Sequence, residues 1–209
     1  MEKFVAEGKA GQLQAVFHPA KEASSDFLIV CHPHPLYGGT MDNKVVTTIA
    51  KAYLDVGINV VRFNYRGVGE SAGEYGHNSG EVEDALAIFT WLREHHSVKR
   101  LFLAGFSFGS YIAAQAAQSI ADAGIEVPHL LMVAPSVENS PFELATPLAA
   151  PCTVIMGKQD EVVSFESVER WVNDQSEDIE MQVLPDATHF FHRQLIVLKN
   201  ALASILSVF

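Results

Sequence analysis

Apolar residues recur along the chain with two different periods, and the two kinds of segment follow one another in turn. Short apolar runs bounded by polar residues are typical of buried strands, and several such runs follow an opening hairpin. Longer segments place apolar residues three and four positions apart, as Val45, Ile49 and Ala52 do, which is typical of helices packed on a core. The alternation predicts an α/β protein with a mostly parallel central sheet of about eight strands and helices on both faces.

The predicted boundaries follow from where each period begins and ends. The hairpin is predicted at 4–6 and 13–17, and the later strands at 27–31, 58–63, 100–105, 129–134, 152–156 and 180–184. The helices are predicted at 43–56, 79–95, 108–122, 164–176 and 191–207. Only about sixteen residues separate Ala134 from Pro151, so we expect a loop or a short helical turn there and no cap domain.

The length and charge of the chain indicate how many domains it forms and which partners are unsuitable. The 209 residues, 48% of them hydrophobic, suit a single domain spanning residues 1–209. The formal charge of −11 comes without a basic stripe, which argues against nucleic acid and anionic membrane as partners. No apolar run approaches the roughly 20 residues of a membrane span, and the first residues contain no apolar signal segment. A cytoplasmic protein is therefore expected, and its oligomeric state is left open.

The two cysteines lie at opposite ends of their predicted strands. Cys31 ends one strand, whereas Cys152 begins another, and parallel strands place these positions at opposite edges of the sheet. That separation is too great for a disulfide. Both side chains are expected to be small buried hydrophobes.

The most informative motif is the G-x-S-x-G pentapeptide at 105–109, which lies between an apolar run and an alanine-rich helix. A serine at such a strand-to-helix turn stands exposed at the amino end of a helix, and the flanking glycines let strand and helix approach closely. Free N–H groups in the first helical turn can receive an oxyanion. The motif predicts Ser107 as a catalytic nucleophile; the alternative is a serine that only caps the helix.

An acid and a histidine follow Ser107 in the order that a hydrolytic triad requires. Asp160 and His189 each come shortly after a predicted strand, so both are expected on the same sheet edge as Ser107. The imidazole would remove the serine proton, and the carboxylate would hold the imidazole in the required tautomer. Glu161 and, more weakly, Asp186 compete with Asp160, while His192, predicted one turn into the last helix, competes with His189.

Three further segments carry a family resemblance. Residues 28–39 contain C-H-P-H-P-L-Y-G-G, residues 62–71 contain R-G-V-G-E-S, and residues 80–84 open a helix. Together with the serine motif they resemble small bacterial α/β-hydrolases related to the dienelactone hydrolase and carboxylesterase group, over residues 28 to about 195. The resemblance implies the α/β-hydrolase fold and acyl-transfer chemistry. The dienelactone hydrolases have cysteine where this chain has Ser107, so lactone specificity does not follow from it.

The resemblance also implies where the oxyanion donors lie. One is the backbone N–H of Phe108, and the second comes from the loop after Cys31, where Pro33 and Pro35 have no N–H to donate. Alignment with the H-G-type loop of the family favours His34, with Leu36 as the alternative. Aromatic side chains are expected to border an apolar, shallow cleft, chiefly Tyr37, Phe106 and Phe190, with Phe108, Phe191 and Val137 nearby.

Two other polar groups near this edge have structural interpretations. His32 is expected to brace the loop by side-chain hydrogen bonds, because no third ligand with suitable spacing accompanies His32 and His34 and no metal site is predicted. Arg66 is expected to hold the turn at 67–69 through carbonyl groups or Glu70; the alternative is that it steers an anionic substrate.

These residues predict a serine hydrolase that cleaves small, short-acyl carboxylic esters through an acyl-enzyme intermediate without a cofactor. A thioesterase would use the same triad, and a non-catalytic binding protein on the same scaffold is the alternative from another class. The expected partner is a small-molecule ester or thioester. Its identity does not follow from the sequence.

Overall fold

The computed structural model describes residues 1–175 and 179–209. Within that part of the chain, the strands are β1 (Glu2–Gly8), β2 (Gly11–His18), β3 (Asp26–Cys31), β4 (Asn59–Phe63), β5 (Arg100–Phe106), β6 (Leu130–Val133), β7 (Cys152–Gly157) and β8 (Ile179–Leu184). The α-helices are α1 (Lys44–Asp55), α2 (Ser79–His95), α3 (Phe108–Asp122), α4 (Phe165–Asn173) and α5 (Leu195–Leu206).

The strands form one sheet in the order β1-β2-β4-β3-β5-β6-β7-β8. β2 pairs antiparallel with β1 and with β4, and every later pairing is parallel. This topology confirms the predicted mostly parallel sheet. The carboxyl ends of β3, β5, β7 and β8 consequently share one edge, where loops from distant parts of the chain meet.

The central strands are buried on both faces. Every residue of β4, β6 and β7 is buried, as is every residue of β5 after the first. Such strands need helices to cover them, and α1 and α3 pack against them, while α2 packs against β3 and β1. Alanines on α3, which are buried, allow this helix to lie close to β5. The sheet therefore holds the start of α3, where Ser107 lies, in a rigid position.

The predicted elements differ from the structure mainly at helix ends. The last helix begins at Leu195, four residues later than predicted, because Phe191 and Arg193 have positive φ angles of 51° and 62°. Left-handed backbone conformations cannot continue a right-handed helix. His192 is therefore exposed in a turn before α5 and not within it, as had been expected. Helix α4 ends at Asn173, and the predicted final position, residue 176, lies outside the described residues.

The segment between β6 and β7 bears on access to the sheet edge. It contains a 3₁₀-helix at Phe142–Leu144 and otherwise only turns and loops. No cap domain is built there, as predicted. Both cysteines are free and buried, also as predicted. In the described ranges, no helix combines the length and the apolar character that crossing a membrane would require.

Candidate active site

Ser107 lies at the sharp turn between β5 and α3. Its φ and ψ are 55° and −119°, a conformation that L-residues rarely adopt and that has the character of a nucleophile elbow. Its N–H donates to the carbonyl of Val133 at 2.8 Å, and its own carbonyl accepts from Ser110 N–H at 3.0 Å. These two bonds anchor the strained turn to the neighbouring strand and to the helix.

The two glycines of the motif are required by close backbone approach. A Cβ on Gly105 would overlap the backbone of Gly109 and Ser110. A Cβ on Gly109 would overlap the backbone of Cys31 and His32. The second overlap shows that the loop after β3 lies directly on the first turn of α3. The motif thus brings the predicted oxyanion loop beside Ser107.

Asp160 and His189 meet on the loops after β7 and β8. His189 Nδ1 lies 2.8 Å from Asp160 Oδ2, and the Asp160 side chain has no exposed surface. The other carboxylate oxygen accepts from the backbone N–H groups of Val162 and Val163, both at 2.8 Å. A buried carboxylate needs such partners. With Nδ1 as the donor to Asp160, the imidazole has its Nε2 free to accept a proton.

The rival side chains occupy other positions. Glu161 Oε2 accepts from the backbone N–H of His189 at 3.1 Å, so this carboxylate holds the histidine's main chain and not its ring. The Asp186 carbonyl accepts a hydrogen bond from the side chain of Gln194. The imidazole of His189 therefore contacts Asp160 among the three candidate acids.

The His189 ring packs on Phe106, the neighbour of Ser107 in the chain. The Phe106 ring lies 5.0 Å from the His189 ring, centroid to centroid, and Phe106 is the residue that precedes Ser107. In the described part of the chain, Ser107 Oγ makes no hydrogen bond, and the Ser107 residue is 8% exposed. Hydrogen bonds between a nucleophile and its base are often long without substrate and tighten when substrate binds.

The two candidate second oxyanion donors differ in their hydrogen bonding. Leu36 N–H donates to His34 Nδ1 at 3.2 Å. Among the described residues, the backbone N–H groups of His34 and Phe108 have no hydrogen-bond acceptor. The His34 ring packs on the Phe108 ring at 4.7 Å, so the two free N–H groups belong to neighbouring residues.

Of the aromatic residues expected to border the cleft, Phe106, Phe108 and Phe191 are buried, whereas two others are exposed. Tyr37 is 87% exposed and Phe190 is 40% exposed. Phe106, by contrast, is fully buried beneath His189 and Phe190. The expectation that Phe106 lines the cleft was wrong, because the last residue of β5 points into the core. Its ring supports the imidazole from below.

The model of the alpha/beta hydrolase domain family matches residues 28–200 of this chain. The chain belongs to the α/β-hydrolase family. An alpha-beta serine hydrolase homologue from Coxiella burnetii is 45% identical, with a TM-score of 0.91 and coverage of 99% of this chain and 97% of that one. An α/β serine hydrolase without lid from Xanthomonas campestris is 36% identical, with a TM-score of 0.88 and coverage of 97% and 92%.

An uncharacterized protein of Rickettsia prowazekii is 33% identical over 193 residues, which are 88% of this chain and 79% of the relative. These similarities make this α/β-hydrolase a homologue of bacterial serine hydrolases.

His32 braces the loop after β3 of this α/β-hydrolase, as predicted. Its Nδ1–H donates to Pro33 O at 2.7 Å, and its Nε2 accepts from Tyr65 N–H at 3.2 Å. Burial lowers the pKa of His32 to about 3. The bond from Tyr65 requires the neutral imidazole, because a protonated Nε2 would face another donor. Within the described residues, no cluster of three or more His, Cys, Asp or Glu residues could hold a metal ion.

Arg66 has different partners from those predicted. Its guanidinium and its backbone N–H bond the buried Asp84 carboxylate of α2 at 2.8–3.1 Å, and one nitrogen also reaches Glu83. The expectation of Glu70 or turn carbonyls was wrong; Glu70 instead accepts from Gln14. Arg66 ties the turn after β4 to α2 and is 9% exposed, which leaves its charge little access to a substrate.

Tyr75 lies near the candidate oxyanion donors, although the sequence did not indicate it. Tyr75 lies 5.1 Å from the His34 ring and 6.4 Å from the Phe108 ring, centroid to centroid, and is half-buried. It follows the R-G-V-G-E-S turn, but nothing in its local pattern distinguishes it from a loop tyrosine. The nearest signal was the capping box of Asn78 and Glu81, which starts α2 just beyond it.

Proposed function

We propose that this α/β-hydrolase cleaves small, short-acyl carboxylic esters, with Ser107 as nucleophile, His189 as base and Asp160 as the orienting acid. The observation that carries the proposal is the 2.8 Å bond between the buried Asp160 carboxylate and His189 Nδ1, on the loops beside the strained Ser107 turn. A serine that only capped α3 would not need this pair, and its side chain makes no capping bond to the helix.

The first half-reaction acylates the enzyme. His189 Nε2 takes the proton of Ser107 as the oxygen attacks the ester carbonyl carbon. The tetrahedral intermediate collapses, the bond to the leaving alkoxide breaks, and the alkoxide receives that proton from the imidazolium. Asp160 stabilises the imidazolium while it exists.

The second half-reaction restores the serine. Water attacks the acyl carbon while His189 Nε2 takes one of its protons, and the carboxylic acid leaves as Ser107 Oγ regains that proton. In both steps the negative oxygen would receive hydrogen bonds from the backbone N–H groups of Phe108 and His34. Preorganised donors of this kind supply a large part of the rate in acyl transfer.

The preference for short acyl chains rests on the openness of the site. The segment between β6 and β7 has a three-residue 3₁₀-helix at Phe142–Leu144 and no cap domain. The exposed Tyr37 and Phe190 rings offer apolar contact without enclosing the substrate. Each added methylene contributes about 0.8 kcal/mol only while it leaves water, so longer chains should gain nothing further.

The proposal is tested by measuring the hydrolysis of p-nitrophenyl esters with acyl chains of two to sixteen carbons, in buffer that contains no detergent micelles. For the wild type, we expect kcat/KM to be highest for acyl chains of about two to six carbons. In Ser107→Ala, kcat/KM should fall by roughly three or more orders of magnitude. A maximum at twelve or more carbons would refute the short-acyl proposal. Hydrolysis that persists in Ser107→Ala would refute the serine mechanism.

Matched esters and thioesters with the same acyl group distinguish the alternatives. A kcat/KM higher for the thioester, after correction for intrinsic reactivity, would replace the carboxylesterase with a thioesterase. Binding of the esters without turnover would indicate a non-catalytic protein on this scaffold.

A further inference from the structure

Residues 74–81, called here the Tyr75 arm, connect the turn after β4 to the start of α2. The arm contributes no member of the proposed triad and no oxyanion donor. It nevertheless reaches the cleft, because Tyr75 packs on His34 and Phe108. Its construction is more elaborate than a connection between a strand and a helix requires.

A buried carboxylate organises the arm. Glu81 has no exposed surface, and its two oxygens accept from the backbone N–H groups of Gly76 at 2.7 Å and Asn78 at 2.9 Å. A carboxylate is expensive to bury unless its hydrogen bonds are made. The arm conformation is therefore strongly coupled to the folded position of α2.

The arm is also strained and tightly packed. His77 and Asn78 have positive φ angles of 52° and 75° although neither is glycine. A Cβ on Gly76 would lie 2.6 Å from Gly80 Cα, and a Cβ on Gly80 would lie 2.7 Å from the Arg66 guanidinium. Strained backbone persists where the surroundings over-determine it, and it is concentrated at ligand-binding sites.

The arm places Tyr75 beside His34, in a group of aromatic rings that we call the aromatic wall. The wall consists of His34, Tyr37 and Tyr75, with His34 at its centre, 4.8 Å from the Tyr37 ring and 5.1 Å from the Tyr75 ring. Tyr37 is exposed, and Tyr75 and His34 are half-buried, so the wall keeps accessible ring surface. Rings that served only the core would be covered, as Tyr53 and Tyr65 are.

The wall carries no charge that would select an ionic substrate. Burial lowers the pKa of His34, and its Nδ1 accepts from Leu36 N–H, so the imidazole is neutral near pH 7. Besides this neutral imidazole, the wall contains only the two phenol rings. Its ring faces suit a flat apolar group, since aromatic pairs gain energy beyond simple burial.

We infer that Tyr75 is a specificity-determining residue that contacts the substrate and favours esters carrying an aromatic ring. This inference rests on the proposed esterase function and refines its substrate class. The ring belongs to the acyl part or to the alcohol part of the ester, and the shared feature is its flat π face.

The test compares matched pairs of esters that differ in aromaticity. Phenyl acetate against cyclohexyl acetate places the ring in the alcohol, and methyl benzoate against methyl cyclohexanecarboxylate places it in the acyl group. The aromatic-to-cyclohexyl ratio of kcat/KM is measured for the wild type, Tyr75→Phe and Tyr75→Leu. Dividing the variant ratio by the wild-type ratio cancels the intrinsic reactivity of each ester.

We expect Tyr75→Leu to lower this ratio about 3- to 10-fold in at least one pair, as the loss of one aromatic contact implies. Tyr75→Phe keeps the ring and should keep the ratio within about twofold. An unchanged ratio in both pairs, or equal losses for aromatic and cyclohexyl esters, overturns the inference. The same division of inhibition constants for phenylboronate and cyclohexylboronate gives a readout that does not depend on turnover.

The failure of this inference differs from the failure of the proposed function. If hydrolysis depends on Ser107 but the aromatic-to-cyclohexyl ratio of kcat/KM is unchanged in Tyr75→Leu, only the role of Tyr75 is refuted. Hydrolysis that persists in Ser107→Ala removes the esterase mechanism, whatever the ratio.

Discussion

The histidine side of the Ser107 cleft is held by carboxylates, whereas the opposite side is held by imidazole, backbone and aromatic rings. On the histidine side, Asp160 bonds the His189 ring and Glu161 bonds its main chain. On the oxyanion side, His32 fixes the loop through Pro33 and Tyr65. Charge is concentrated where a proton would move, and neutral groups lie where substrate would be recognised.

Because of this contrast, we expect substitutions on the two sides to reduce activity to different extents. A carboxylate that orients an imidazole acts through one bond of fixed geometry, so its loss should be severe. A loop held by several neutral contacts should lose function in smaller steps, depending on which contact is removed.

Asp160→Asn should reduce kcat by about 10³- to 10⁴-fold, because an amide favours the wrong tautomer of His189. Glu161→Gln is the matched control, since Glu161 bonds only the His189 backbone, and should cost less than tenfold. Steady-state kinetics on a short-acyl ester measure both. Comparable losses in the two variants would contradict the assignment of Asp160 as the acid.

His34→Pro should reduce kcat by about 10²- to 10³-fold, the usual cost of one oxyanion donor. The φ of His34 is −52°, which proline adopts, and in the described residues its N–H has no acceptor, so the change removes the proposed donor together with the imidazole ring.

The control is His34→Ala, which keeps the N–H and loses the ring, and it should cost far less. If Leu36→Pro is the damaging variant and His34→Pro is not, Leu36 is the donor. Thermal unfolding of each variant establishes that the loop change leaves the fold intact.

Acid should destabilise the protein partly through His32. Its folded-state pKa is lowered to about 3 by burial, whereas an unfolded histidine titrates near 6.5. Between these values the unfolded chain binds the extra proton, so stability falls as pH falls through that window. His32 alone should account for about 2 kcal/mol between pH 7 and pH 5.

Urea unfolding of the wild type and His32→Gln at both pH values measures this contribution. The variant should lose less stability on acidification, although His129, whose pKa burial lowers to about 4, adds a similar dependence in both proteins. An identical pH dependence in the two proteins would show that His32 is not a buried neutral group.

The parts of the molecule that follow from local pattern were predictable. The order of strands and helices followed from the period of the apolar residues. Asp160 was preferred to Glu161 from its position in the sequence, and the hydrogen bond between Asp160 and His189 agrees with that preference. The partner of Arg66 was not predictable, because Asp84 lies eighteen residues later on α2 and the contact depends on tertiary packing.

The Tyr75 arm and the start of α5 escaped prediction for a shared reason. Both depend on positive φ angles at non-glycine residues, such as Asn78 and Phe191, and the local sequence does not fix where such uncommon angles occur. The burial of Phe106 also required the tertiary structure, since the end of a strand before a nucleophile turn can face either the cleft or the core.

Intact-protein mass spectrometry after treatment with a fluorophosphonate shows whether Ser107 is an activated nucleophile. We predict one stoichiometric adduct on the wild type, located at Ser107 by peptide mapping, no adduct on Ser107→Ala, and slow labelling of Asp160→Asn. An unlabelled wild type, or an adduct that persists at another residue in Ser107→Ala, would contradict the claim.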